Sequence, residues 1–268
     1  MSKAKTGARA KATGELKFFD ASAYIGRPMI ALPNGPAGSS VTAGELLAEM
    51  DRAGIEKALV WHVAQRDHGA PAGNRLLAEA IAPCDRLVGC WAIYPPQTGE
   101  LGDLDQFFAA AGKARVRAFR VFPTSSRFLL RTESLGDILD RMVKARVPLF
   151  VSAPKHASWE AVYDLLKEMP ELRVVLSEQS NWGSDRLFRP LVDRYPNVYV
   201  ELSGYFVAGG LDAFVRDYSA KRLLFGTNFP ESYLGANMLA VAHLDVSQAD
   251  RQAIAGGNLK KLLDEVKR

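Results

Sequence analysis

Cysteine is scarce in this chain: Cys84 and Cys90 are the only two among 268 residues, and no CxxC pair is present. A disulfide framework is therefore excluded, and both residues read as small buried hydrophobes of a reducing compartment. Histidine is also sparse, limited to His62, His68, His156 and His243. Long apolar runs are missing: none reaches the roughly 18 residues of a membrane span, and no leader has an apolar core. A cytoplasmic protein without a membrane partner is expected. A strongly charged body is missing as well. The formal charge is +4, but Lys3, Lys5, Arg9, Lys11 and Lys17 stand against Glu15 alone at the start of the chain, and the remainder is balanced. The basic character belongs to a tail over residues 1–15, rich in Ala, Lys, Ser, Thr and Gly, which reads as disordered. A nucleic-acid arm and a short targeting peptide are the alternatives for that tail. Nothing in the body has the pattern of a nucleic-acid module, so no nucleic-acid partner is expected.

What is present is a regular alternation of apolar runs and amphipathic runs. Strands are predicted at Leu16–Ala21, Lys57–His62, Arg86–Ile93, Arg115–Phe122, Val147–Ser152, Leu172–Ser177, Val198–Leu202 and Arg222–Phe225. Helices fall between them. The first is opened by Thr42 with Glu45 three residues on, a capping-box pattern, and stops near Gly54. Further helices are predicted at Gly73–Ala82, Leu101–Ala111, Ser134–Ala145, Ser158–Met169, Asp185–Tyr195 and Leu211–Tyr218. Closing helices follow at Leu234–Leu244, Ser247–Ala255 and Leu259–Val266. A Gly/Pro-rich loop occupies Gly26–Ser40.

Strands that read as continuous apolar runs, such as "VPLFV" and "RLLFG", suit parallel strands buried on both faces. Eight of them alternating with helices predict an α/β fold, a single-domain (β/α)8 TIM barrel spanning residues 16–268. A doubly wound sheet is the competing architecture. It is weakened by the strand count and by the lack of a Gly-rich phosphate loop after the first strand. A chain of this length buries about three quarters of its unfolded surface and needs no disulfide or metal to fold.

In such a barrel, chemistry sits at the C-terminal ends of the strands. Those ends present "FFDASAYIG", His62, Tyr94, "RAFRVFP", Ser152 with His156 beyond it, "VVLSEQSNWG", "ELSGY" and "RLLFGTNFP". In order and spacing these segments, with "LLAEMDRAGIEKALVW" and "NRLLAEAIAPCDRLVGCWAIYPP", resemble the metal-dependent amidohydrolase-related barrels, in particular the branch of decarboxylases and lactonases. The resemblance implies metal ligands at the strand ends, and here the sequence departs from the pattern. The two first-strand histidines would fall at Ser22 and Tyr24, the strand-five histidine at Ser152, the strand-six histidine at Glu178 and the strand-eight aspartate at Asn228. Zinc wants three or four imidazole, thiolate or carboxylate ligands. One carboxylate, two hydroxyls, a phenol and an amide would hold it weakly, so no metal and no cofactor is expected. A displaced site using His62 and Glu178 is the alternative.

Two functional readings follow. In the first, the chain is a metal-independent hydrolase of a lactone or related ester of a small carboxylic acid. Glu178 would be general base, Arg120 would clamp the substrate carboxylate, Tyr24 and Asn228 would donate to the oxyanion, and His62 would protonate the leaving group. Ser22, Ser152 and Glu201 would complete the polar lining. The competing roles are an Arg120–Glu178 pair that is only structural, a His62 that is merely hydrogen-bonded, and a Ser152–His156 nucleophile pair. In the second reading the chain is an inactive relative. It would bind a small acid or a partner protein, with Gly26–Ser40 and Arg127–Arg131 as binding surfaces. A homodimer is a candidate assembly.

Overall fold

Short runs of β-branched and aromatic residues with no polar break form strands buried on both faces. In the computed structural model, which describes residues 15–30, 40–153, 155–179, 184–205 and 207–267, there are eight of them. They are β1 (Phe18–Ile25), β2 (Ile55–His62), β3 (Leu87–Ala92), β4 (Val116–Arg120), β5 (Leu149–Ser152), β6 (Val174–Ser177), β7 (Val198–Glu201) and β8 (Leu223–Leu224). All pairs are parallel and neighbours in space follow chain order. The sheet closes on itself where the Ala21 N–H donates to Phe225 O and the Tyr24 N–H to Phe229 O, both at 2.9 Å. The result is the single-domain (β/α)8 barrel expected from the sequence.

Successive residues of each strand serve two cores. Val60, Phe119, Val151, Leu176 and Val200 belong to the layer shared with the helices. Leu59, Trp61, Cys90, Ala118, Phe150, Val175 and Leu224 belong to the barrel interior. That parity puts Arg120, Ser152, Ser177 and Glu201 on the interior side of their strands, one step above the apolar fill.

The helices start where side chains can satisfy free backbone N–H groups. Thr42 Oγ1 accepts from the Glu45 N–H at 3.2 Å, while the Thr42 N–H donates to Glu45 Oε2 at 2.7 Å. Gly54 ends that helix, Ala43–Ala53, in the left-handed region at φ 78°. Ser158 caps Trp159–Glu168 through the Ala161 N–H.

The structure departs from the sequence reading in three places. β1 runs past the apolar segment to Ile25, with a register shift between Asp20 and Ala23. Two extra helical turns, Ala64–Asp67 and Pro123–Ser126, follow β2 and β4 at the mouth. The closing helix expected to end at Ala255 instead passes into a π-helical turn at Ala253–Gly257. There the chain presses on β1 so closely that a β-carbon on Gly256 would lie 2.9 Å from Lys17 O. Leu259, Leu262 and Leu263 of the next helix, Asn258–Asp264, pack onto the interior cluster and close the N-terminal end of the barrel. The expected tail lies outside the described residues up to residue 14, as does 31–39 of the Gly/Pro-rich loop. No helix among the described residues is long and apolar enough to cross a membrane.

Candidate active site

β6 delivers Glu178 to the open end of the barrel. Its backbone is left-handed, at φ 58°, a conformation that costs a non-glycine residue energy and needs support. The support is Glu201, whose Oε2 accepts the Glu178 N–H at 3.1 Å. Gly204 makes room as well, since a β-carbon there would lie 2.4 Å from Gln179 O. The Glu178 side chain is nearly enclosed, 7% exposed, and meets a cation at each oxygen. Lys155 Nζ stands 2.7 Å from Oε2 and Arg120 Nη2 stands 3.6 Å from Oε1.

The two cations differ in setting. Arg120 is buried, its guanidinium 4.3 Å over the Trp61 ring and 5.2 Å from that of Phe122. Burial pulls its pKa down, against the nearby negative charge of Glu178 and Glu201. Lys155 lies in the loop after β5 and remains 41% exposed. Its Nζ also reaches Glu231 Oε2 at 3.0 Å. Its two carboxylate partners hold its pKa up against the opposing effect of burial.

Glu231 gathers the two expected oxyanion donors. The Tyr24 O–H donates to Glu231 Oε1 at 3.4 Å and Asn228 Nδ2 donates to Oε2 at 3.1 Å. Tyr24 is fully buried against Trp61, and burial followed by the Glu231 charge raises its pKa. Asn228 is left-handed at φ 54°. Tyr24, Trp61, Phe122 and His156 form a continuous ring contact along the mouth, with centroids 4.8, 5.2 and 5.1 Å apart in turn.

Glu201 has a different place from the one expected. It is fully buried, and its oxygens accept from the Ser203 N–H at 2.5 Å, the Ser203 hydroxyl at 2.8 Å and the Glu178 N–H. Burial pushes its pKa up to about 8. Enclosed in this way, it holds the backbone N–H of Glu178 in place. Asp20 is its counterpart between β1 and the end of β8, accepting from the Thr227 hydroxyl, the Thr227 N–H and the Ser22 N–H, with a pKa pushed by burial to about 6.

His62 is not brought to the cluster. It ends β2 one residue past the interior Trp61, on the opposite side of the strand. Its ring packs against Gly26, and Nδ1 accepts the Ala64 N–H at 3.1 Å. Burial lowers its pKa, and His68 is the neighbouring charge it feels. Among the described residues, the buried hydroxyls of Ser22, Ser152 and Ser177 have no hydrogen-bond partner. His156 therefore does not engage Ser152 Oγ as a nucleophile's base would. Its imidazole, edge-on to Phe122, is pushed down to about 3 by burial and by the Arg120 and Lys155 charges.

The family ligand positions do not fit a metal. Ser22, Tyr24, Ser152 and Asn228 supply hydroxyl, phenol and amide. The point where the carboxylates of Glu178 and Glu231 converge already holds the Lys155 ammonium. Among the described residues no group of three or more His, Cys, Asp or Glu could hold a metal ion.

Sequence reasoning missed Lys155, Glu231 and Trp61 as members of this cluster. Lys155 and Glu231 sit in the loops after β5 and β8, where the strand-end rule pointed, but a loop residue's direction is not readable from the sequence. A cavity of about 440 Å3 at the other end of the barrel, lined by Lys17, Phe18, Arg117 and Lys260 among others, contains none of the expected site residues. Lys17 and Lys260 there form exposed pairs with Glu56 and Asp264. The enclosed carboxylate between two cations lies at the opposite end, the mouth.

Comparison with known proteins identifies the family and the fold. A family model described as Amidohydrolase matches residues 28–264. No curated protein sequence matches the chain. Among solved structures, an uncharacterized TIM-barrel protein from Bordetella bronchiseptica superposes with a TM-score of 0.70 at 18% identity, covering 94% of this chain and 100% of the other. A dihydroxybenzoic acid decarboxylase from Polaromonas, with bound manganese and 2-nitroresorcinol, gives 0.72 at 17%, covering 93% and 97%. A probable 2-pyrone-4,6-dicarboxylic acid hydrolase from Acinetobacter baumannii, with citric acid bound, gives 0.66 at 12%, covering 93% and 100%. At these identities the superpositions establish the shared barrel.

Proposed function

This chain belongs to the amidohydrolase family, and from that premise we propose that it is a hydrolase that opens a lactone or related ester of a small carboxylic acid without a metal, with Glu178 as general base. The observation that carries the proposal is a carboxylate enclosed at the barrel mouth beneath an exposed ammonium and beside a buried guanidinium. A negatively charged substrate is drawn to that pair of cations, and the aromatic wall of Tyr24, Trp61 and Phe122 suits a flat ring. Two structural neighbours, a dihydroxybenzoic acid decarboxylase and a probable 2-pyrone-4,6-dicarboxylic acid hydrolase, are named for carboxylic acids, which supports the substrate class.

The chemistry needs only residues of this chain. A water beside Glu178 gives its proton to the carboxylate as its oxygen bonds to the ester carbonyl carbon, and the carbonyl π electrons move to oxygen. Of the two donors expected to serve that oxyanion, Tyr24 has one proton and spends it on Glu231. Asn228 has a second amide hydrogen and is the better candidate. Collapse of the intermediate breaks the bond to the leaving oxygen, and Glu178 returns the proton to it. Acid and alcohol leave, and no second acid is needed in the role first expected of His62. Ser22, Ser152 and Ser177 have buried hydroxyls with no hydrogen-bond partner among the described residues, and a substrate that reached them would supply one.

A second reading is favoured by one observation: both oxygens of Glu178 already face cations, as suits a binding protein that performs no chemistry. A panel of aromatic lactones and carboxylate-bearing esters separates the two. The hydrolase reading expects turnover that Glu178→Gln lowers by roughly 100-fold or more. Saturable binding of the same compounds with no turnover establishes the binding protein instead.

A further inference from the structure

We infer that Lys155, and not Arg120, makes the direct contact with the ligand's carboxylate, and that it does so by exchanging partners with Glu178. The inference rests on the reading of the mouth as the ligand site, and it holds whether or not hydrolysis follows.

Three observations carry it. The first is access. The Arg120 side chain is 4% exposed, roofed by Trp61 and flanked by Phe122, whereas that of Lys155 is 41% exposed on the same cluster. A ligand entering from solvent meets the ammonium first. The second is reach. Lys155 Nζ has two protein partners, Glu178 Oε2 at 2.7 Å and Glu231 Oε2 at 3.0 Å, and an ammonium has three hydrogens to donate. It can turn toward an incoming carboxylate while keeping Glu231. The third is consequence. When Lys155 leaves Glu178, the remaining cation on that carboxylate is Arg120 at 3.6 Å, so arrival of an acidic ligand frees Glu178 Oε2 to take a proton. The site then selects for a carboxylate by what that carboxylate displaces as well as by what it touches. Arg120 remains the fixed counter-charge beneath Glu178.

The test uses the whole chain and benzoate as the probe, with calorimetric titration and acetic anhydride labelling of lysines read by peptide mass spectrometry. Saturating benzoate is expected to protect Lys155 from acetylation. Lys155→Met is expected to weaken benzoate binding roughly 10- to 100-fold, the range of one charge-assisted hydrogen bond, and Lys155→Arg to recover part of that loss. Thermal unfolding of each variant reports that the fold is intact. Unchanged binding in folded Lys155→Met, or acetylation of Lys155 indifferent to benzoate, overturns the assignment. Benzoate that fails to bind the unaltered chain overturns both this inference and the mouth as the carboxylate site. Lys155-dependent binding without ester turnover sustains the inference and removes only the hydrolase reading.

Discussion

Glu201 shows at the scale of one residue how a buried side chain supports the backbone of a site residue. It is fully buried, holds the N–H of left-handed Glu178, and fills the notch left by Gly226, where a β-carbon would lie 1.9 Å from its Oε1. Its pKa, raised by burial from 4.5 to about 8, has a consequence for stability. A folded-state pKa above the unfolded value means that the folded state holds the proton more tightly. The contribution is complete below about pH 4.5 and is lost as pH rises to about 8. Asp20, raised by burial to about 6, adds a decline ending near that pH. Unfolding free energy measured in urea from pH 6 to 8 is expected to fall for the unaltered chain and to flatten in Glu201→Gln. Parallel curves would show that Glu201 does not titrate in this window. The sequence marked Glu178, Arg120 and Glu201 because each falls at the C-terminal end of a predicted strand, and Glu178 also because it stands at the family's strand-six ligand position. It did not show that Glu201 is enclosed, because depth within the barrel is not encoded in strand position. Lys155 and Glu231 escaped because their directions are set by loops.

Elements are held by backbone approaches that only small residues allow. The helix Ala70–Ile81 lies on the short turn Ala64–Asp67 so closely that a β-carbon on Gly73 would sit 2.2 Å from Gln65 N. Alanine gains about 1 kcal/mol over glycine inside a helix, but forced overpacking costs roughly 1–3 kcal/mol. Gly73→Ala is therefore expected to destabilise, and more so because backbone cannot yield as a side chain would. Gly136, inside Thr132–Ala145, has no described atom beyond its own stretch of helix within 4 Å of its β-carbon position, so Gly136→Ala is expected to stabilise by about 0.5–1 kcal/mol. Chemical denaturation of the two variants checks the pair, and equal effects would contradict the packing argument. The long elements were readable from their periodicity and, for the first helix, from the cap at Thr42. The turns at Ala64–Asp67 and Pro123–Ser126 were not, since four residues carry too little pattern.

For the whole molecule, the barrel keeps its family's scaffold while its mouth carries a different charge arrangement. Eight parallel strands bring the five family ligand positions to one end. Closure between β8 and β1 ties Asp20 to Thr227 beside Asn228. The fold was legible because buried parallel strands alternate with amphipathic helices along the entire chain. The departures at Ser22, Tyr24, Ser152, Glu178 and Asn228 were equally legible, as substitutions in a recognisable order. The Lys155 ammonium was not, because its place between Glu178 and Glu231 depends on three separate loops or strand ends meeting. The central claim is that this arrangement does its chemistry without a metal. The most direct test is ester or lactone turnover by the purified chain after exhaustive chelation, with and without added zinc or manganese. The same kcat is expected in all samples, with loss only in Glu178→Gln. Activity abolished by the chelator and restored by the added metal would contradict it.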